Sequence, residues 1–273
     1  MSAYFDYENQ NGQLNSSYDL SKESLHLLTK QLLSEHPTDV DSRYVCYRFA
    51  GDDKFSNIGR SVERTVFEDA FGNDAEQMVK EYGSYEQSSI FFLSIDREQA
   101  LPSGTLRIIG NSEHGFKTLN DLEHSSLELD YNQVAEYYQI NDPDTVWDIG
   151  TVAVLPEYRS AEGAVSVQLY RAMYVSAMQN KIQHFVSVID QKPLHKLVDY
   201  LGIPFESLMG SEPFEYLGSE SSQAVYGFVP DFYRKMSKKL WTPKGMLARK
   251  ALKKLVKGTE DFTLLFDDDS YKK

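Results

Sequence analysis

Apolar residues recur along this chain at two spacings, and the switches between them mark its elements. From Leu20 to Leu33, Leu25, Leu28, Leu32 and Leu33 share a helical face, with Ser21, Glu23 and Ser24 supplying capping chemistry. Arg43 to Ala50 alternates polar and apolar, the period of a half-buried strand. Helical spacing returns over Asn57 to Tyr82. Val62, Val66, Phe67 and Phe71 make one stripe, Gly72-Asn73-Asp74 interrupts it, and Met78, Val79 and Tyr82 resume it. Ser89 to Arg97 reads as a strand and Thr105 to Gly110 as its hairpin partner, with Leu101-Pro102-Ser103-Gly104 in the connection. Asn111 to Asp144 is polar and reads as an excursion, with one short helix expected at Asn132 to Tyr138.

The stretch from Thr145 to Ile189 organises the rest. Val146 to Leu155 is a β-type run that Pro156 ends, since proline cannot donate to a ladder. A polar loop, Glu157 to Glu162, leads to Gly163, which opens a helical pattern carrying Val167, Tyr170, Tyr174 and Met178. Asn180 ends that helix, and His184 to Ile189 reads as a buried strand. Strand, loop, helix and strand make a βαβ unit with parallel strands and a right-handed crossover. Its loop sits at a helix N-terminus, where free N–H groups receive a phosphate or another anion, or where the chain simply turns. Downstream, the pattern predicts a helix over Pro193–Leu201 and a short strand over Phe205–Met209. A hairpin of Pro213–Leu217 and Gln223–Val229 follows, joined by Gly218 to Ser222. Pro230 and Pro243 each open a helix before a mobile acidic tail.

Composition narrows the class. At 273 residues, with 41% hydrophobic and 25% charged, the chain is a globular protein large enough for a sizeable core. The expected division is an N-terminal arm and helix over 1–42, a main domain over 43–229, and basic helices with an acidic tail over 230–273. No apolar run is long enough to span a bilayer, and the polar N-terminus is unlike a secretory signal, so a cytoplasmic location is expected. The single cysteine, Cys46, excludes an internal disulfide framework and reads as a buried small side chain. Net charge is −13, but ten Lys or Arg and no acid lie between Arg234 and Lys257, so the remainder carries −23 and is unsuited to nucleic acid. The basic segment has three readings: a solvated helical pair, an amphipathic helix on a membrane surface anchored by Trp241, Met246, Leu247, Leu252, Leu255 and Val256, or a dock for an acidic partner such as an acyl carrier protein.

VAVLPEYRSAEGA, followed by a long helix and a strand, resembles the acyl-CoA-binding segment of the GNAT acyltransferase superfamily. Val154, Pro156, Tyr158, Arg159, Gly163 and Ala164 carry the likeness, with three residues between Arg159 and Gly163 where the family has two. The element order over Arg43 to Val229 is also similar to the GNAT core. Gly104-Thr105-Leu106-Arg107-Ile108 and Trp147-Asp148-Ile149-Gly150-Thr151 resemble the autoinducer-synthase-like and N-acyl amino acid synthase-like branches. There, Asp148 stands at the family's glutamate and Thr151 at its arginine.

The resemblance implies an α/β (α+β) fold, a mixed, mostly antiparallel central sheet flanked by helices, with extra N- and C-terminal helices. It implies an N-acyltransferase that moves an acyl group from acetyl-CoA, a longer acyl-CoA or an acyl carrier protein to a small-molecule amine. Val152, Ala153 and Val154 would bind the thioester through main chain, and Arg159, Ser160, Gly163 and Ala164 would face the pyrophosphate. Asp148, in an apolar strand that would raise its pKa, is the candidate base, or else a carboxylate that pairs with Arg107 or caps a turn. Tyr200, two positions from the family's thiolate-protonating tyrosine, is the candidate acid or a packing residue. His114, His184 and His195 lack metal-ligand spacing, so no metal is expected, and neither a nucleophile elbow nor a P-loop is present. The other reading is a GNAT-like module that binds or regulates without catalysing.

Overall fold

Helix α1 (Lys22–Glu35) starts where Ser21 accepts the Ser24 N–H at 3.1 Å, and it lays Leu32 into a core with Val45, Tyr47, Phe49, Phe55, Ile58 and Phe91. The computed structural model describes residues 17–159, 164–200, 202–239 and 265–266. These fall into two compact units: Met1–Arg107, Thr151–Leu169 and Thr263–Lys273 form one, and Ile108–Gly150 with Tyr170–Phe262 form the other.

In the first unit, strand β1 (Tyr44–Ala50) pairs antiparallel with β2 (Ser89–Asp96) through seven registers, from Tyr44↔Asp96 to Ala50↔Ile90. Helix α2 (Ser56–Phe71) ends at Gly72, whose φ of 76° is a left-handed conformation that glycine adopts without Cβ strain. Asp74 then caps α3 (Ala75–Tyr82) by accepting the Gln77 N–H at 2.9 Å. Strand β3 runs Leu101–Ile109, so it begins inside the expected connection. Pro102 is only its second residue, where a missing N–H costs the ladder little.

In the second unit the expected excursion is a packed layer. Helices α4 (Lys117–Glu123) and α5 (Tyr131–Tyr138) supply Phe116, Leu119, Leu122 and Val134 to a core with Val146, Val186, Leu208, Ala224 and Tyr226. Asp130 and Gln133 form a reciprocal capping box that starts α5. Strand β4 (Val146–Val154) and helix α6 (Ala164–Gln179) each have one part in either unit, β5 is His184–Asp190, and β4 and β5 are parallel, as the βαβ reading requires. The expected Pro193–Leu201 helix is instead α7 (Gln191–His195) running into a π-helical turn at Lys196–Tyr200. The strand after it is only β6 (Glu206–Ser207). The final hairpin is tighter than its sequence suggests: β7 (Phe214–Tyr216) and β8 (Ser219–Phe228) turn through Leu217 and Gly218, both at positive φ. Helix α8 is Phe232–Lys239. The helix expected after Pro243 lies outside the described residues, but part of the tail forms β9 (Leu265–Phe266), parallel to β1.

Strand order in the mostly antiparallel sheet is β6-β8-β5-β4-β3-β2-β1-β9, with β7 on β8. None of the described helices is long and apolar enough to cross a membrane.

Candidate active site

Strands β4 and β5 stay in register for three pairs, Val146↔His184, Trp147↔Phe185 and Asp148↔Val186. At the next position the Ser187 hydroxyl donates to the Ile149 carbonyl at 2.8 Å, so a side chain takes over where the ladder ends. The β4–β5 ladder thus ends at the Asp148↔Val186 pair, with Ser187 bonded to the next β4 carbonyl.

Asp148 lies at the last paired register and is fully buried. Its Oδ2 accepts the Thr118 N–H at 2.6 Å and its Oδ1 accepts the Thr118 hydroxyl at 2.7 Å, which caps α4 from a distant strand. Burial pushes its pKa up to about 6; the Thr118 hydrogen bonds and Lys117 oppose that shift, and Asp121 adds to it. Lys117 is itself almost buried and reaches Asp121 Oδ2 at 2.5 Å, while the Tyr216 hydroxyl donates to the same oxygen. The expected alternative pairing of Asp148 with Arg107 is not what forms: the Asp148 carboxylate is held by Thr118, and Arg107 is committed elsewhere.

The thioester candidates lie in the first unit. Val152 and Val154 are half-buried and Ala153 is buried at the end of β4. The Leu155 N–H donates to the Ser103 carbonyl at 3.1 Å, tying β4 to β3. Gly104 makes that approach feasible, because a Cβ there would stand 2.8 Å from the Ala153 oxygen and 2.9 Å from Val165 Cγ1. Arg159 is exposed and folds back, its Nε donating to the Val154 carbonyl at 3.1 Å. Ala164 is the first residue of α6. Ser160 and Gly163 lie outside the described residues, and so does the Tyr200 side chain.

One buried polar group escaped the sequence reading. Arg107, fully buried, binds Glu63 through Nε at 3.1 Å and Nη2 at 2.6 Å, and Glu86 through Nη1 at 3.2 Å. Its Nη2 also donates to the Tyr18 hydroxyl at 2.5 Å, and that hydroxyl donates to Glu86 at 2.6 Å. Arg60 closes the group with Nε 3.0 Å from Glu86, and the Thr151 hydroxyl donates to Glu63. Two guanidiniums and two carboxylates balance, which is what makes such burial tolerable. The carboxylates differ. Burial raises Glu63, and Arg107 only partly offsets it. Burial also opposes ionisation of Glu86, but Arg107 and Arg60 together hold it below the usual range. Glu63 stands beside Val62 on the apolar stripe and Arg107 is a charge inside the apolar run Leu106–Ile109, but nothing local pairs the two.

Among the described residues no group of His, Cys, Asp and Glu could hold a metal ion. His184 is buried, with Nδ1 2.7 Å from the Tyr226 hydroxyl, and Cys46 is buried with its thiol pKa pushed up by desolvation.

The mostly antiparallel sheet, with its parallel β4–α6–β5 unit, is a GNAT-like fold. FeeM, an N-acyl amino acid synthase from uncultured soil microbes, is similar over 71% of this chain and 95% of its own, at 16% identity and a TM-score of 0.52. The AHL synthase LasI is similar over 68% of this chain and 89% of its own, at 17% identity and a TM-score of 0.46. The CoA-dependent acyl-homoserine lactone synthase BjaI is similar over 77% and 89%, at 12% identity and a TM-score of 0.44. No protein-family model matches the sequence, and no curated protein does.

Proposed function

We propose that this protein is an N-acyltransferase that moves an acyl group from a thioester, acyl-CoA or acyl carrier protein, to the amine of a small molecule of the amino-acid class. The opening of the β4–β5 ladder at Ile149, beside the buried Asp148, carries the reading. The acceptor class follows that of FeeM, an N-acyl amino acid synthase.

In this mechanism Val152, Ala153 and Val154 offer main-chain groups to the thioester. Arg159, Ser160, Gly163 and Ala164 receive the pyrophosphate when the donor is CoA. Asp148 takes the proton of the acceptor ammonium, leaving a neutral amine to attack the carbonyl carbon. A carboxylate has about four lone-pair sites, and Thr118 occupies two of them, so Asp148 keeps acceptor capacity. A pKa of about 6 leaves it ionised at neutral pH yet more basic than an ordinary aspartate. The C–S bond breaks as the amide forms, and the departing thiolate is protonated by Tyr200 or by water.

The test is thiol release from acetyl-CoA and long-chain acyl-CoA against a panel of amino acids, with calorimetric binding run alongside. Asp148→Asn should bind donor but lose most turnover, and wild-type kcat should rise through about pH 6. Donor binding without turnover for any acceptor would favour the second reading, a non-catalytic module in which Asp148 only caps α4.

A further inference from the structure

One face of the second unit has no part in this chemistry. Tyr170, Met173 and Tyr174 of α6, Ile203, and Phe232, Tyr233 and Met236 of α8 line an apolar groove. Phe232 and Met236 are buried, and Phe232 stacks on Tyr174, so the groove floor is fixed. Its edges are open. Tyr233 is 58% exposed, and Met178, one turn beyond Tyr174, is 51% exposed. The same helix turns Arg234 and Lys238 to solvent, and Lys235 is half-buried beside them. Asp231 is the acid next to these cations, 2.6 Å from Arg234 and 3.8 Å from Lys235. By sequence, the next eighteen residues add six more Lys or Arg, no acid, and Trp241, Met246, Leu247, Leu252 and Leu255.

We propose that this α6–α8 face docks the protein on an anionic lipid bilayer, with Tyr233 and Met178 entering the headgroup–acyl boundary and the α8 cations on lipid phosphates. The inference does not depend on the acyl-transfer reading. A short helix with inward Phe and Met, an outward tyrosine and flanking cations has the chemistry of an interfacial element. Charge selects the orientation, since the remainder of the chain is strongly acidic and is repelled by the same surface. A bilayer fits better than an acidic helix, because Tyr233 stands exposed at the groove and Met178 lies one turn past Tyr174, while the groove floor is already filled by Phe232 and Met236.

The experiment is co-sedimentation of the full chain with vesicles of phosphatidylcholine alone and of phosphatidylcholine mixed with phosphatidylglycerol. Binding should need phosphatidylglycerol and weaken with salt. Lys235→Gln/Lys238→Gln should weaken it by roughly fivefold per lysine, and Tyr233→Ser/Met178→Ser should weaken it further. Tyr233, Met178 and Lys238 are exposed, so the fold should survive. No sedimentation, equal binding to both vesicles, or variants that bind like wild type would overturn the proposal. So would an acidic amphipathic peptide that binds the face and is not displaced by vesicles.

Discussion

Replacing Arg107 by methionine should be among the costliest single changes in the first unit. The substitution removes bonds to Glu63 at 2.6 and 3.1 Å, to Glu86 at 3.2 Å and to Tyr18. Glu86 keeps Arg60 and Tyr18, but Glu63 keeps only the Thr151 hydroxyl among the partners described above. A fully buried carboxylate is then stranded, and breaking such a pair costs about 3–5 kcal/mol. Burial already holds Glu63 above its usual 4.5, and loss of the guanidinium raises it again. A group whose folded pKa is raised contributes stability below the unfolded value, and that contribution is lost as pH rises through the folded value. The gap between wild type and variant should therefore be smaller at an acidic pH than at an alkaline one, widening by at most about 1.4 kcal/mol per pH unit. Urea denaturation followed by tryptophan fluorescence at both pH values measures it. Glu63→Gln in the Arg107→Met background should recover most of the loss, because no charge is left unpaired. A gap under about 1 kcal/mol at both pH values, or one that does not change with pH, would refute the reasoning.

Two further outcomes follow from the same geometry. Gly104→Ala places a Cβ against the Ala153 carbonyl, Val165 and Leu169, and a main-chain oxygen cannot step aside alone; we expect about 1–3 kcal/mol of destabilisation, seen as a thermal midpoint lower by several degrees. Asp148 moves from an ordinary 3.8 to about 6 on folding, so its ionisation opposes the folded state as pH rises through that interval, by about 3 kcal/mol in all. Asp148→Asn should flatten the stability profile between about pH 4 and about pH 7, and an unchanged slope in calorimetry would show that another group sets it.

The order of strands and helices was legible because each long element keeps its period: the Val62–Phe71 stripe, the Val146–Leu155 run and the Val167–Met178 face all form where the spacing puts them. Within Asn111–Asp144 the helix expected at Asn132 to Tyr138 forms as Tyr131–Tyr138, while Lys117–Glu123 and the packing of both had no clear sequence signal. The stretch's apolar residues are split between two short helices, and the seven residues of Lys117–Glu123 are too few to show a stripe. β3 was shortened because Pro102 and Gly104 read as turn residues, whereas Gly104 is there for strand–strand contact. Asp148 was visible as a charge inside an apolar run, but its partner Thr118 lies 30 positions away. The Arg107 cluster joins residues 21, 44 and 89 positions apart, and no periodicity reports on pairs at that range.

The margins of the sheet bear on how the protein behaves in concentrated solution. A long unpaired strand edge is a template for association with another chain. In the first unit, the outer edge of β1 is met at Tyr47 and Arg48 by Leu265 and Phe266. In the second, the outer edge of β8 is shared by β7, at Ser219 to Ser222, and by β6, at Val225 and Tyr226. The outermost strands, β6 and β9, are two residues each, and the Glu206 side of β6 is exposed and charged. Among the described residues, the two outermost strands are themselves too short to template a neighbouring copy. Colloidal stability at the sheet margins thus rests on a handful of residues, and a fusion or truncation that disturbs Leu265–Phe266 would be felt first as aggregation.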